Sequence, residues 1–212
     1  MSIASIRKDY QLKSLSEQDL LADAIQQFSI WWNEALTAEI DEVNAMTLST
    51  TKADGRPTAR IVLLKGYDEN GFVFFTNYDS HKGQELLDKP FASLLFFWKE
   101  LERQVRIEGN CEKISPEESD AYFYSRPLGS RLGAWASPQS QVIPNREVLE
   151  NQAEQLTLKY SDGIVPRPPH WGGFRVVPDS IELWQGRSNR LHDRILYTKN
   201  ESSNWGIARL AP

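Results

Sequence analysis

The chain has 212 residues, 40% of them hydrophobic and 25% charged, with a formal net charge of −5; it is long enough to bury a full core, and it lacks the basic excess of a general nucleic-acid or membrane-surface binder. No apolar run is long enough to cross a bilayer, and the N-terminus lacks the apolar stretch of a signal peptide, so a cytoplasmic location is the default expectation. The single cysteine, Cys111, excludes an internal disulfide and a multi-cysteine zinc site.

The first 14 residues are polar and aperiodic, and are expected to form a mobile segment. Residues 16–36 then place Leu20, Ala24, Phe28, Trp31 and Ala35 at helical spacing, which predicts an amphipathic helix. The period next falls to two, predicting strands at 45–50 and 57–65 joined by the Ala53-Asp54-Gly55 turn. Glu69-Asn70-Gly71 is a hairpin signal leading into a strand at 72–76, and a short helix is expected to begin near Ser80. Strands at 91–98 and 103–114 continue the meander. The first is apolar enough to be buried on both faces, and in the second Cys111 falls in phase with Val105 and Ile107, predicting a buried structural thiol. Strands 72–76 and 91–98 together carry more large apolar residues than one inner face of a small barrel needs, a surplus that predicts an interface.

Ser115-Pro116-Glu117-Glu118 is a capping box with proline at the first helical position. A further helix is expected at 145–160. Beyond the stiff Pro166-Arg167-Pro168-Pro169 connection lie strands at 174–177, 180–185, 194–198 and 205–210. Many short strands with a few peripheral helices predict a mainly β, α+β architecture: a closed or split antiparallel barrel in a single domain spanning 1–212.

Several chemistries are excluded. His81, His170 and His192 form no metal-binding spacing, so no metal site is expected. There is no G-x-S-x-G elbow, no P-loop, and Gly172-Gly173 leads into a strand rather than a helix, unlike a dinucleotide fingerprint. What remains is cationic or amide side chains set beside aromatic or glycine residues. Arg60 and Lys65 flank an apolar strand; they either snorkel to solvent or reach anionic groups across the sheet. Around Ser80, His81 and Lys82 a helix start either is merely capped or receives a phosphate on its free N–H groups. Arg103, Gln104, Arg106 and Glu108 alternate as on a solvated sheet face. The run from Trp184 through Arg187, Arg190 and His192 to Arg194 makes a poor core strand; as a loop it offers a planar guanidinium and an imidazole to an aromatic ligand. Arg190 and His192, one residue apart, share a side if that run is extended. Arg126 to Arg131 adds another possible phosphate cradle. Together these describe a site for two anionic, ring-bearing molecules.

From Arg7 to the C-terminal Arg209-Leu210-Ala211-Pro212, the sequence resembles the pyridoxamine 5′-phosphate oxidase family. The most specific elements are residues 60–65, Arg103 to Gly109, Ser125-Arg126-Pro127, Gly133 to Ser137 with Gln139-Ser140, and Arg190-Leu191-His192-Asp193-Arg194. The resemblance implies an FMN-binding split β-barrel and a homodimer with two FMN sites at the subunit interface. It implies FMN contacts from Arg60, Ile61, Val62, Leu63, Leu64, Lys65, Phe75, Thr76, His81, Lys82, Gln104, Gln139, Ser140, Trp184 and Arg194. It assigns the substrate phosphate to Lys65, Tyr122, Arg126 and Ser130, the pyridine ring and the catalytic role to Arg190 and His192, and a closing segment to Arg7 and Tyr10. It also implies oxidation of pyridoxamine and pyridoxine 5′-phosphate to pyridoxal 5′-phosphate, with dioxygen reduced to peroxide. One departure stands out: His81 occupies a position where some members carry arginine, so the FMN phosphate grip is expected to weaken as pH rises through the imidazole titration. A split-barrel relative using another flavin or acting on another reduced substrate, and a carrier or sensor that binds FMN or pyridoxal phosphate without turnover, are the competing readings.

Overall fold

The computed structural model describes residues 2–6 and 8–212. These form nine strands: β1 (Ala45–Thr51), β2 (Pro57–Leu63), β3 (Gly66–Asp68), β4 (Gly71–Asn77), β5 (Phe91–Trp98), β6 (Arg103–Lys113), β7 (Trp171–Gln185), β8 (Asp193–Lys199) and β9 (Trp205–Leu210). The α-helices are α1 (Ala24–Thr37), α2 (His81–Asp88), α3 (Pro116–Ser125), α4 (Leu128–Ala136) and α5 (Glu147–Lys159). Alternate side chains of β1, β5 and β6 are buried, as the period of two requires. Every pairing is antiparallel, in the order β2-β1-β5-β6-β7-β4-β3, with β8 on β7 and β9 on β8. The long β7 makes this possible: its first half pairs with β4 and its second half with β8. The sheet curls until β2 lies beside β4 without a ladder between them. That seam is the split of the expected barrel.

Met46, Leu48, Leu94, Phe96, Val105 and Ile107 fill the inner face. Phe28 of α1 plugs it, its ring centroid 4.9 Å from Phe72 and 5.6 Å from Phe96. A second cluster of Phe123, Leu132, Val165 and Trp171 sits on the far side of β4, where Phe75 packs. The surplus apolar residues of β4 are thus covered within the chain. Those of β5 are not: Ala92, Leu94, Phe96 and Trp98 point inward, whereas Phe91 and Phe97 stand 61% and 53% exposed. The expectation that β5 is buried on both faces is corrected to one, and the outer face of β5, with Ile61 of β2, is left as an apolar strip.

Two further expectations shift, and one helix was not expected at all. The first helix begins at Ala24, not at residue 16, because Ser16 and Asp19 close a capping box on the 3-10 turn Glu17–Asp19 and Asp23 then caps α1 by accepting from the Gln26 N–H. The two strands expected at 174–177 and 180–185 are one, since a bulge at Glu108/Gly109 absorbs Asp179 and lets Pro178 sit opposite Gly109. Only glycine fits there, because an added Cβ would lie 2.1 Å from the Val177 carbonyl oxygen. Helix α4 was hidden by Gly129 and Gly133, which disfavour helix. Cys111 is buried as expected, and burial pushes its thiol up to about 12.

Candidate active site

The first half of the site lies at the seam. β2 is an edge strand, so alternate backbone N–H and C=O groups along it have no partner in the sheet. Its Ile61, Val62 and Leu63 form one wall of a cleft of about 470 Å³, with Lys65 just beyond the strand. The opposite wall is Phe75, Thr76 and Asn77 at the end of β4, and the floor and rim are Lys82, Tyr122, Arg126, Ser130, Gln139 and Trp171. Phe75 stacks on Tyr122 (3.9 Å) and on Trp171 (5.4 Å), a flat-sided slot. Lys82 Nζ donates to Gln139 Oε1 at 2.8 Å, and burial first, then the nearby Arg60 charge, lower its pKa.

Arg126 is the most informative member. Its guanidinium lies 4.6 Å over the Trp171 ring, and its Nη1 is one of two buried side-chain nitrogens without a hydrogen-bond partner among the described residues, the other being Arg131 Nε. A desolvated guanidinium N–H left unbonded is costly. Burial lowers its pKa, against the pull of Tyr122, but arginine stays charged.

Arg60 and Leu64 face inward instead. Leu64 is core, and Arg60 donates to Thr58 Oγ1 (2.7 Å) and Glu85 (3.1 Å) and also to Thr50, behind Lys82 rather than in the cleft. His81 is exposed at the first position of α2 and Ser140 sits exposed at φ 72°; neither lines the cleft.

The second half lies elsewhere. Gln104, Trp184 and Arg194 form one row across β6, β7 and β8. Arg194 is held by Glu182, with Nε donating to Oε1 at 2.7 Å. Beside this row Tyr10, Arg190 and His192 line a cleft of about 540 Å³ together with Lys8, Asp9 and Arg187. The imidazole lies 4.5 Å from the Trp184 ring, and Tyr10 meets that ring edge-on at 5.8 Å. The turn carrying these residues is not extended: residues 188–190 make a 3-10 turn with Asn189 and Arg190 at φ 58° and 62°. The one-residue spacing therefore does not place Arg190 and His192 on a common strand face; the turn brings both to the same cleft. His192 Nδ1 accepts the Arg187 N–H (3.1 Å), so in the neutral ring the proton sits on Nε2. Burial, then the Arg190 charge, lower the His192 pKa against the opposing pull of Asp193. Arg7 lies outside the described residues.

The two clefts share no lining residue. Sequence reasoning overlooked Trp171, Asn77 and Glu182. The signal for Glu182 was present, an acidic residue alternating among apolar neighbours in a strand, but Trp171 and Asn77 acquire their meaning only from the seam.

The family described as pyridoxamine 5′-phosphate oxidase matches residues 32–160, and the pyridoxine 5′-phosphate oxidase C-terminal dimerisation region matches residues 171–212. The pyridoxine/pyridoxamine 5′-phosphate oxidases of Trichormus variabilis and Gloeothece citriformis are 57% and 59% identical to the chain, each match covering 100% of it and 99% of the relative. Among solved structures, PhzG from Burkholderia lata, in complex with tetrahydrophenazine-1-carboxylic acid, superposes with a TM-score of 0.88 at 30% identity, covering 95% of this chain and 99% of that one. A pyridoxamine 5′-phosphate oxidase-related, FMN-binding protein from Nostoc punctiforme superposes at 0.71 with 19% identity over 90% of this chain and 99% of that one, and shares the fold. With matches spanning both halves of the chain and relatives aligned from end to end, this protein belongs to the pyridoxamine 5′-phosphate oxidase family.

Proposed function

We propose that the protein oxidises pyridoxamine 5′-phosphate and pyridoxine 5′-phosphate to pyridoxal 5′-phosphate in the cytoplasm, with FMN as cofactor, dioxygen as acceptor and hydrogen peroxide as product. The observation that carries this reading is Arg126, a half-buried cation whose buried Nη1 has no hydrogen-bond partner among the described residues, set with Lys65 and Ser130 around a slot walled by flat rings. A phosphate ester on an aromatic ring is the ligand such a cradle suits.

FMN fits the rest of the first cleft: Lys82, Thr76 and Gln139 supply polar groups, and the unpaired edge of β2 offers backbone donors and acceptors to a flat heterocycle. When bound, FMN supplies the acceptor for the hydride leaving the substrate C4′ carbon. The protein's own task is orientation and electrostatics. Arg126, Lys65, Tyr122 and Ser130 anchor the substrate phosphate and fix its register. Arg190 covers the ring and offsets charge at the substrate oxygen, while His192 donates from Nε2. Its other nitrogen is occupied by the Arg187 N–H, which favours a hydrogen-bond donor over a proton acceptor.

Because the two clefts are separate in one chain, a homodimer that abuts the first cleft of one copy with the second cleft of the other completes the site. The exposed strip of Ile61, Phe91 and Phe97 and the dimerisation region at 171–212 support that assembly. Lys8, Asp9 and Tyr10, which line the second cleft, form its cover.

Anaerobic addition of pyridoxamine 5′-phosphate to the FMN-loaded protein is expected to bleach the flavin band, and air to restore it with release of peroxide. An unchanged spectrum would leave an FMN carrier. Bleaching by a reduced phenazine carboxylate, but not by the phosphate ester, would favour a PhzG-like substrate, the reading that the 0.88 superposition suggests. Lys82→Ala, which removes one charge-assisted contact of about 1.5–3 kcal/mol, is expected to weaken FMN roughly ten- to a hundredfold in a fluorescence titration. Equal affinities would remove Lys82 from the site.

A further inference from the structure

Glu102 stands outside both clefts, yet its backbone is left-handed (φ 55°, ψ 40°) and its side chain is 3% exposed. A buried non-glycine residue in that conformation persists only where its surroundings over-determine it. The carboxylate Oε2 accepts the backbone N–H groups of Gln11 (2.8 Å) and Leu12 (3.1 Å), and Oε1 lies 3.1 Å from Lys8 Nζ. Burial acts to raise its pKa, but the Leu12, Lys8 and Gln11 contacts prevail and lower it. The Glu102 carbonyl oxygen in turn accepts the Gly186 N–H (2.8 Å), where β7 gives way to the 187–192 turn. One residue thus holds both the N-terminal segment and the root of that turn.

The segment itself grips the turn. Asp9 Oδ1 accepts the Asn189 N–H and the Tyr10 carbonyl accepts the Ser188 hydroxyl, each at 3.3 Å. Tyr10 lies directly on Gly186, where an added Cβ would fall 2.7 Å from the ring and 2.8 Å from the Tyr10 Cβ. Asn189 and Arg190, consecutive left-handed residues without glycine, are the kind of strained pair that needs such restraint.

We propose that Glu102 is a positioning residue, latching residues 8–12 in place so that they hold the turn presenting Arg190 and His192. This rests on the reading that those two residues face the substrate. The full-length FMN-loaded protein is the material for the test, with Glu102→Gln, Asp9→Ala, the double variant and Gly186→Ala. In Glu102→Gln, trypsin cleavage within residues 8–13 of the native protein should quicken about tenfold, and kcat/KM should fall about tenfold, with FMN affinity within about twofold of the parent. Asp9→Ala should lose less, and the double variant should be no worse than Glu102→Gln, because residues acting through one element are not additive. Gly186→Ala, which displaces Tyr10 with Glu102 intact, should give the same faster cleavage and kinetic loss, and keeps the test open if Glu102→Gln folds poorly. Parental cleavage rates, or fully additive kinetic losses, would overturn the latch. A parent inactive on pyridoxamine 5′-phosphate would refute the proposed reaction instead, and cleavage would still decide the latch.

Discussion

Arg190→Ala is expected to lower kcat/KM by at least about a hundredfold, roughly 2.7 kcal/mol of transition-state stabilisation, while FMN stays bound. The neighbouring arginines are committed elsewhere: Arg187 pairs with Asp193 at 3.0 Å and Arg194 with Glu182 at 2.7 Å. Arg190 lines the cleft, on a turn whose backbone is left-handed at that residue, and among the described residues the other guanidinium lining it, Arg187, is already paired with Asp193. Its loss removes an orienting contact and a charge partner together. A second readout accompanies the first. Neutral His192 is the form that donates from Nε2 and accepts from Arg187, and burial and the Arg190 charge lower its pKa. Activity should therefore fall with decreasing pH only below the ordinary histidine range, and Arg190→Ala should move that acidic limb upward. A variant with near-parental kcat/KM and an unmoved limb would withdraw Arg190 from the reaction.

Arg126→Met should raise KM for pyridoxamine 5′-phosphate about a hundredfold or more, with kcat changed far less. Two charge-assisted bonds to a phosphate, at about 1.5–3 kcal/mol each, set that scale. Methionine keeps the apolar contact with Trp171, so the loss reports charge rather than packing. The ligand-free protein should respond in the opposite sense. A partly buried guanidinium with an unbonded Nη1 disfavours the empty fold, so the melting temperature without phosphate should rise in the variant, a trade of stability for binding. An unchanged KM would take the phosphate away from Arg126.

The sequence made the strands legible where one face is buried. Alternation along β1 and β6 could be read directly, and Cys111 was placed with Val105 and Ile107 by its phase alone, whereas the unbroken apolar run of β5 concealed its exposed face. Legibility failed where a local cap or bulge competed with the period. Ser16 and Asp19 closed a turn inside an apparently continuous helix, and Asp179 was absorbed opposite Gly109 without ending β7. The site was legible as a set of residue types and not as a geometry. Arg60 and Ile61 are adjacent in sequence but lie on opposite faces, one tied to Glu85 and the other exposed on the outer sheet. That Lys82 and Arg190 belong to separate clefts follows from the strand order, which no spacing along the chain encodes.

Helices α3, α4 and α5 occupy a single excursion between β6 and β7, two strands that are hydrogen-bonded neighbours. Lys113, where the chain leaves the sheet, is paired with Phe174, just after it returns. Tyr122, Arg126 and Ser130, three of the four groups assigned to the substrate phosphate, all ride on this excursion, whereas β2, β4 and β8 belong to the frame. On the proposed assignment, the groups that hold the phosphate are thus carried on one insertion rather than on the sheet. No ladder pair falls within residues 114–170, so a swap of that segment between relatives is expected to keep the sheet and to change the substrate preference.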